Sequence, residues 1–143
     1  MSYSQAADLM NRLLGGNYHA QHVYSEGIKK SELPALKEFF MAQAAQKSRF
    51  INVLTDDIVR LNQTPKSKSG IIEATSNAWS ELMLFFKGNS EEAILAECKK
   101  AEQNLLREYN DVLKYTSIID STRTLLVTQR DELNETIKSA FVE

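Results

Sequence analysis

The fold is decided by residues 33–65, which read LPALKEFFMAQAAQKSRFINVLTDDIVRLNQTP. Apolar and amide side chains recur in this stretch at steps of three and four residues, the spacing that places them on one face of an α-helix. Ser31 is a candidate N-cap, Pro34 suits a first helical turn, and the helix should end before Thr64-Pro65. The stretch therefore predicts a long amphipathic helix with one inward face, made of Leu36, Phe39, Gln43, Gln46, Phe50, Leu54, Ile58 and Leu61.

Three other segments show the same spacing over a comparable length. The first runs from Ala6 to Ile28, the second follows a Ser90 cap, and the third runs from about Ile118 to Phe141. Their inward stripes are Leu9, Leu13, Asn17, Ala20, Tyr24 and Ile28; then Leu95, Cys98, Glu102, Leu105, Tyr109 and Val112; then Ile119, Thr122, Leu126, Gln129, Leu133, Ile137 and Ala140. A shorter helix is predicted from Ile71 to Lys87, where Gly88-Asn89 stops it.

The lengths of the connections predict the topology. Very short turns join the first two long helices and the last two, so each of these pairs should be antiparallel. The long connection between Asn62 and Ser90 can return along the bundle, which is the one-crossover arrangement of ferritin-like proteins. We therefore predict an all-α, ferritin-like antiparallel four-helix bundle, with an additional short helix in the crossover between bundle helices two and three. One domain should span residues 1–143.

Composition narrows the classes of function. The chain has 143 residues, 43% of them hydrophobic, with 17 basic against 19 acidic side chains. This balance gives no basic surface for nucleic acid or for an anionic membrane, and no segment approaches the roughly 20 apolar residues that span a bilayer. Cys98 is the one cysteine and should be a small core residue. We expect a cytoplasmic protein.

Each long helix carries a polar residue on its apolar stripe, close to its own midpoint. These residues are Asn17, the pair Gln43 and Gln46, Glu102, and Gln129. Midpoints of antiparallel helices meet, and an unpartnered polar group in the core would cost about 1–3 kcal/mol. We predict a hydrogen-bonded polar core layer that fixes the register of the helices. Burial should raise the pKa of Glu102, whereas a nearby Lys47 or Arg130 should lower it.

The same level of a ferritin-like di-iron bundle holds metal ligands. Those proteins take a Glu from each of two helices and a Glu-x-x-His pair from each of the other two. Here Glu102 is followed three positions later by Leu105, and the second helix offers Gln46 followed by Arg49. Neutral amides compensate the charge of a metal ion poorly, so we predict no dinuclear site and no cofactor.

A weaker metal candidate is the strip formed by His19, His22 and Glu26. Their spacing aligns them along one side of the first helix, where they could hold a single ion. The strip lies more than 100° from the core stripe through Ala20 and Tyr24 by helix geometry. We therefore expect a solvated face, with a surface metal site as the alternative.

An apolar run in the crossover suggests an interface. Trp79, Leu82, Met83, Phe85 and Phe86 exceed what one face of a short helix can bury. Excess apolar surface of this kind marks a contact with another chain, and we expect a homodimer or a docked protein partner. Burial of the same side chains in the core is the alternative.

The chain resembles a bacterial family of ferritin-like four-helix-bundle proteins known only as a domain of unknown function. The resemblance spans about Leu13 to Ile137 and rests on Tyr24, Leu36 to Phe40, Gln46-Lys47-Ser48-Arg49-Phe50 with Leu54, Asn77-Ala78-Trp79, Ile94-Leu95-Ala96-Glu97-Cys98, Ala101-Glu102 and Tyr109. The family pattern has a Glu-Arg pair where this chain has Gln46-Lys47, and often a histidine near Arg130. The resemblance implies the fold and the crossover helix, and it implies no activity.

No residue pattern indicates catalysis. The serines and threonines lack a His and Asp pattern that identifies a triad. Gly15-Gly16 lacks the preceding strand and the lysine of a phosphate-binding loop, and indicates a close packing contact instead. The sequence leaves enzymatic activity open and favours its absence. It predicts a structural or protein-interaction role, with a metal-binding or oxidase-like protein using Glu102 or the His19, His22 and Glu26 strip as the alternative.

Overall fold

The computed structural model describes residues 3–70, 90–115 and 118–141. Within these ranges the backbone forms four long helices: α1 (Tyr3–Lys30), α2 (Pro34–Arg60), α3 (Glu91–Leu113) and α4 (Asp120–Ala140). All four predicted bundle helices are therefore confirmed. Residues 68–70, directly before the predicted start of the crossover helix at Ile71, are already helical. The remainder of the predicted crossover helix lies outside the described residues.

The ends of the helices follow local chemistry. The Ser90 hydroxyl accepts a hydrogen bond from the Ala93 backbone N–H at 3.2 Å, which confirms the predicted N-cap of α3. The Ser31 cap was wrong: Leu33 is the N-cap residue of α2 and makes no side-chain cap bond. Pro34 explains the difference, because its fixed φ and missing N–H make it a favoured first helical residue and start the helix directly after Leu33.

Beyond α2 the chain turns before Thr64-Pro65, as predicted. Asn62 has a φ of 59°, in the left-handed region that asparagine tolerates better than most residues. Asn11 of α1 holds the chain that follows this turn: Asn11 Nδ2 donates to the Thr64 carbonyl at 3.3 Å, and the Lys66 N–H donates to Asn11 Oδ1 at 2.9 Å. The start of the crossover is thus tied to the first helix.

The helices form an antiparallel bundle in which α1 packs against α2 and α3, and α4 packs against the same two. Arg12, early in α1, pairs with Glu108, late in α3. Gln46 in α2 contacts Thr136 near the end of α4, whereas Asp57 farther along α2 contacts Thr122 near the start of α4. The α1–α3 pair and the α2–α4 pair are therefore each antiparallel. Because α1 and α4 both pack against α2 and α3, the helices α2 and α3 lie on one diagonal of the bundle, and α1 and α4 on the other.

The core has a larger and a smaller apolar part. The larger part includes Leu13, Leu54, Leu126 and Leu133, all fully buried, and the smaller part gathers Ala20, Tyr24, Leu36, Phe40, Ile94 and Cys98. Burial raises the pKa of the Cys98 thiol to about 12, so the side chain is a neutral core group, as predicted. None of the described helices combines the length and the apolar character needed to cross a membrane.

Candidate functional site

Glu102 lies at the centre of a buried ionic site. The inward stripe of α3 places its carboxylate in the core, with 1% of the residue exposed. The Tyr24 hydroxyl of α1 donates a hydrogen bond to Glu102 Oε1 at 2.6 Å. The Lys47 ammonium of α2, with none of its side chain exposed, lies 2.8 Å from each carboxylate oxygen. Three helices therefore converge on one carboxylate.

Two amides complete the surroundings of Lys47. Its Nζ donates to Gln46 Oε1 at 2.7 Å and to Gln43 Oε1 at 3.5 Å. The amide nitrogen of Gln46 donates in turn to Thr136 Oγ1 of α4 at 2.8 Å. The site thus connects all four helices through hydrogen bonds that start from one ammonium and one carboxylate. We call Tyr24, Gln43, Gln46, Lys47, Glu102 and Thr136 the ion-pair site.

Burial and the partner charge have opposite effects on the pKa of Lys47. Burial lowers the pKa of the Lys47 ammonium, and the Glu102 carboxylate opposes that change because it stabilises the charged form. The pKa of the Tyr24 hydroxyl is raised well above its usual value, first by burial and then by the Glu102 charge. Tyr24 is therefore a neutral donor to the carboxylate, and Lys47 supplies the balancing charge.

A second hydrogen-bonded network lies in the larger apolar part of the core. The Tyr109 hydroxyl donates to Gln129 Oε1 at 2.6 Å and accepts from Asn17 Nδ2 at 3.0 Å. Gln129 Nε2 donates to the Phe50 carbonyl at 3.2 Å. Burial raises the pKa of Tyr109, which keeps its phenol protonated. We call Asn17, Tyr109 and Gln129 the amide–phenol network.

The five residues predicted for the polar core layer are all buried, but they divide between two sets. Gln43, Gln46 and Glu102 belong to the ion-pair site, and Asn17 and Gln129 to the amide–phenol network. The structure does not bring all five into one set of contacts. Of the two cations considered for Glu102, Lys47 reaches it, whereas Arg130 contacts Asp131 and Asn110.

The sequence reasoning did not assign polar roles to Tyr24, Tyr109 or Thr136. Both tyrosines were placed on the inward stripes, and a buried phenol needs a hydrogen-bond partner, which was the available signal. A third buried contact was also missed: Thr122 Oγ1 donates to Asp57 Oδ2 at 2.7 Å, and Arg60 pairs with the other oxygen of Asp57. This contact ties the end of α2 to the start of α4.

The histidine strip was predicted to face solvent, and this is wrong for His19. His19 is only 4% exposed, whereas His22 and Glu26 are partly exposed. By helix geometry His19 shares a side of α1 with Gly16, and Gly16 lies against α3: a Cβ there would lie 2.8 Å from Leu105 Cδ1. Burial, and secondarily His22, lowers the pKa of His19. No group of three or more His, Cys, Asp or Glu side chains within the described ranges is arranged to hold a metal ion.

The predicted interface side chains, Trp79, Leu82, Met83, Phe85 and Phe86, lie outside the described residues. Their contacts stay predictions.

Comparison with known proteins supports the fold. A family model described as a domain of unknown function (DUF2383) matches residues 5–115. A mutant of Mycobacterium smegmatis Dps1 is similar in structure, with a TM-score of 0.76 and 14% sequence identity over 94% of this chain and 91% of that one. No curated protein matches the chain in sequence. The structural likeness confirms the predicted ferritin-like four-helix bundle.

Proposed function

This chain belongs to the DUF2383 family, a domain of unknown function, and we propose that it is a non-enzymatic ferritin-like bundle with a structural or protein-interaction role. The observation that carries the proposal is the contact between Lys47 Nζ and both oxygens of Glu102 at 2.8 Å. The Lys47 ammonium neutralises the charge of the Glu102 carboxylate, which would otherwise be available to a metal ion.

The residues present do not fit a dinuclear metal centre. Ferritin-like di-iron proteins surround their ions with four carboxylates and two histidines drawn from four helices. Among the described residues the buried carboxylates are Asp57 and Glu102, and Asp57 is engaged by Arg60 and Thr122. A metal ion beside Glu102 would meet the positive charge of Lys47 at close range, so the donor set opposes a cation there.

A structural role agrees with what the ion-pair site connects. Its members come from α1, α2, α3 and α4, and the contacts depend on which turn of each helix faces the others. A shift of one helix by a turn would separate charged and polar groups in a dry core, which is costly. Fixing the register of packed helices is the best supported use of buried polar groups of this kind.

The interaction part of the proposal rests on the crossover sequence. Trp79 and the apolar run Leu82 to Phe86 support a homodimer contact, since one face of a short helix cannot bury all of them. We include cytoplasmic location in the proposal, with which a single buried thiol, Cys98, is compatible. The charge balance supports neither a nucleic acid nor an anionic membrane as partner.

Elemental analysis of the purified protein, combined with anaerobic Fe(II) and Zn(II) titration, tests the absence of a metal centre. We expect less than stoichiometric metal and no saturable binding. Tight binding of one or two ions per chain would overturn the proposal in favour of a metal-binding or oxidase-like protein. Glu102→Gln and His22→Ala, as matched variants, would then assign the ion to the core or to the His19, His22 and Glu26 strip.

A further inference from the structure

The Lys47 ammonium is surrounded like a bound ligand. An ammonium group has three N–H donors and no acceptor. The Glu102 carboxylate lies at 2.8 Å from Nζ, Gln46 Oε1 at 2.7 Å and Gln43 Oε1 at 3.5 Å, so that three oxygen groups match three donors. The Tyr24 ring adds a π face, with its centroid 5.7 Å from Nζ. Every neighbour named here suits a positive nitrogen.

Two of the three acceptor groups, Gln46 and Glu102, are oriented by contacts that do not involve Lys47. The Thr136 hydroxyl donates to the Glu132 carbonyl at 3.0 Å, so its oxygen accepts from Gln46 Nε2. That contact directs Gln46 Oε1 towards the ammonium. The Tyr24 hydroxyl likewise holds Glu102 Oε1 at 2.6 Å. We therefore expect the Gln46 and Glu102 oxygens to keep these directions when the lysine side chain is removed.

The charge of the site favours an ammonium over a divalent metal ion. The contacts of Lys47 Nζ to Glu102 and to Gln46, 2.8 and 2.7 Å, have the length of charge-assisted N–H···O bonds, about 2.7–2.9 Å. One carboxylate balances one monovalent cation, and it would leave a divalent ion undercompensated.

We propose that the oxygens of Glu102, Gln46 and Gln43 form an ammonium-binding site whose natural ligand is the tethered Lys47, and that the site accepts a free primary alkylammonium when the tether is cut. Replacing Lys47 by alanine removes three carbons and the nitrogen, the atoms of propylammonium. The emptied space is enclosed by the protein, because none of the Lys47 side chain is exposed, and its far end carries the three oxygen groups. The inference rests on the proposed function in one respect, that an ammonium and not a metal ion neutralises Glu102.

The test compares thermal unfolding of Lys47→Ala, followed by circular dichroism, with and without propylammonium chloride. We expect the unfolding temperature of Lys47→Ala to rise with the logarithm of the propylammonium concentration, by on the order of 5 °C well above the dissociation constant. The wild-type protein should show no such rise because its own ammonium fills the site. The double variant Lys47→Ala/Glu102→Gln is the matched control and should not respond, because the site has lost its charge.

Salt controls separate the outcomes. Sodium chloride and tetramethylammonium chloride at equal concentration should leave Lys47→Ala unchanged, since neither presents N–H donors. An equal response to tetramethylammonium, or an equal response of the double variant, would overturn the proposal. So would stabilisation of Lys47→Ala by MnCl₂ without any by propylammonium, because that result assigns the oxygens to a metal ion.

A folding defect does not remove the test. If Lys47→Ala is unfolded by itself, refolding it in propylammonium chloride should restore its helical signal. The inference is overturned if that signal is not restored although the double variant Lys47→Met/Glu102→Gln folds. The metal content of the wild-type protein is a separate measurement. A metal-loaded wild type contradicts the proposed function, whereas an unresponsive Lys47→Ala in a metal-free protein contradicts the ammonium site alone.

Discussion

The contributions of Lys47 and Glu102 to the stability of the protein depend on each other. Each is at most 1% exposed, and neither charge can reach water if its partner is removed. Removing one member of a buried pair leaves an uncompensated charge, whereas replacing both members by neutral groups of similar volume is often tolerated. The amide and phenol partners, Gln46 and Tyr24, lessen the imbalance without carrying any charge.

We predict a strong coupling in a double-mutant cycle at this pair. Glu102→Gln and Lys47→Met should each lower the free energy of unfolding by about 3–5 kcal/mol, because each leaves one buried charge. The double variant should recover most of that loss. Urea denaturation of the four proteins measures the coupling. Additive losses in the double variant would show that the two charges do not depend on each other.

His19 predicts a dependence of stability on acid. Burial lowers the pKa of its imidazole below the 6.5 of an unfolded chain. Between pH 6.5 and the lower pKa of the folded state, the unfolded chain binds a proton that the folded chain does not. Stability therefore falls as the pH decreases from about 6.5 towards the folded pKa, and levels off below it. The slope should approach at most about 1.4 kcal/mol per pH unit, the limit for one proton.

Urea midpoints of the wild type, His19→Gln and His22→Gln between neutral and mildly acidic pH check this prediction. His19→Gln should flatten the dependence. His22→Gln, which removes only the smaller cause of the pKa change, should retain most of it. An unchanged slope in His19→Gln would assign the acid sensitivity to other groups.

At the scale of the helices, close seams and side-chain caps set the packing. Arg123 of α4 donates to the Leu113 carbonyl at 2.9 Å and also to the Tyr115 carbonyl, so it closes the open end of α3. On α1, Gly16 faces Leu105 of α3 and Gly27 faces Phe40 of α2. The two glycines permit α1 to approach both neighbours closely. The close contact predicted for Gly15-Gly16 is present at Gly16.

The two glycines should differ in their tolerance of alanine. A Cβ on Gly27 would lie 2.8 Å from two atoms of the Phe40 ring, which packs against Tyr24 and Phe39 and cannot easily move. Gly27→Ala should therefore lower stability by about 1–3 kcal/mol, more than the gain in helix propensity of roughly 0.5–1 kcal/mol.

Gly16→Ala is the matched comparison. Its Cβ would meet the end of the Leu105 side chain, which can rotate, so we expect a change close to zero. Thermal unfolding of both variants decides the matter. A Gly27→Ala protein as stable as Gly16→Ala would mean that the seam between α1 and α2 adjusts more readily than its ring contacts indicate.

The long helices could be predicted from the sequence because their inward stripes repeat over many turns. Lys47 was one of two cations considered for Glu102, but its complete burial could not be predicted, because lysine is almost always exposed and its position beside Gln46 is equally typical of the edge of a polar face. The burial of His19 was missed for a related reason. Its angle from the core stripe of α1 does not reveal how closely α3 approaches α1 at Gly16. Hydrogen-bond partners such as Tyr109 and Gln129 depend on the relative heights of helices, which periodicity does not determine.

At the scale of the whole molecule, one crossover connects α2 of the first hairpin to α3 of the second. The α1–α2 and α3–α4 hairpins pack side by side, and Asn11 ties the start of the crossover to α1. The apolar crossover residues, from Trp79 to Phe86, remain the predicted contact with a second copy of the chain.

We expect size-exclusion chromatography with light scattering to give twice the mass of one chain at micromolar concentration. Trp79→Ala combined with Phe86→Ala should lower the dimer fraction, because truncating large apolar side chains weakens an interface. Gln103→Ala, at an exposed position of α3, is the control and should leave it unchanged. A monomeric wild type would exclude the homodimer.

The position of the ion pair on the diagonal between α2 and α3 also affects how the bundle assembles. Lys47 belongs to the first hairpin and Glu102 to the second, so each hairpin brings one uncompensated charge to the core. Two first hairpins packed together would bury two ammonium groups, and two second hairpins would bury two carboxylates. Only unlike hairpins neutralise each other. The contact therefore selects the correct association of half-molecules, and two chains that exchanged hairpins would still find matching partners.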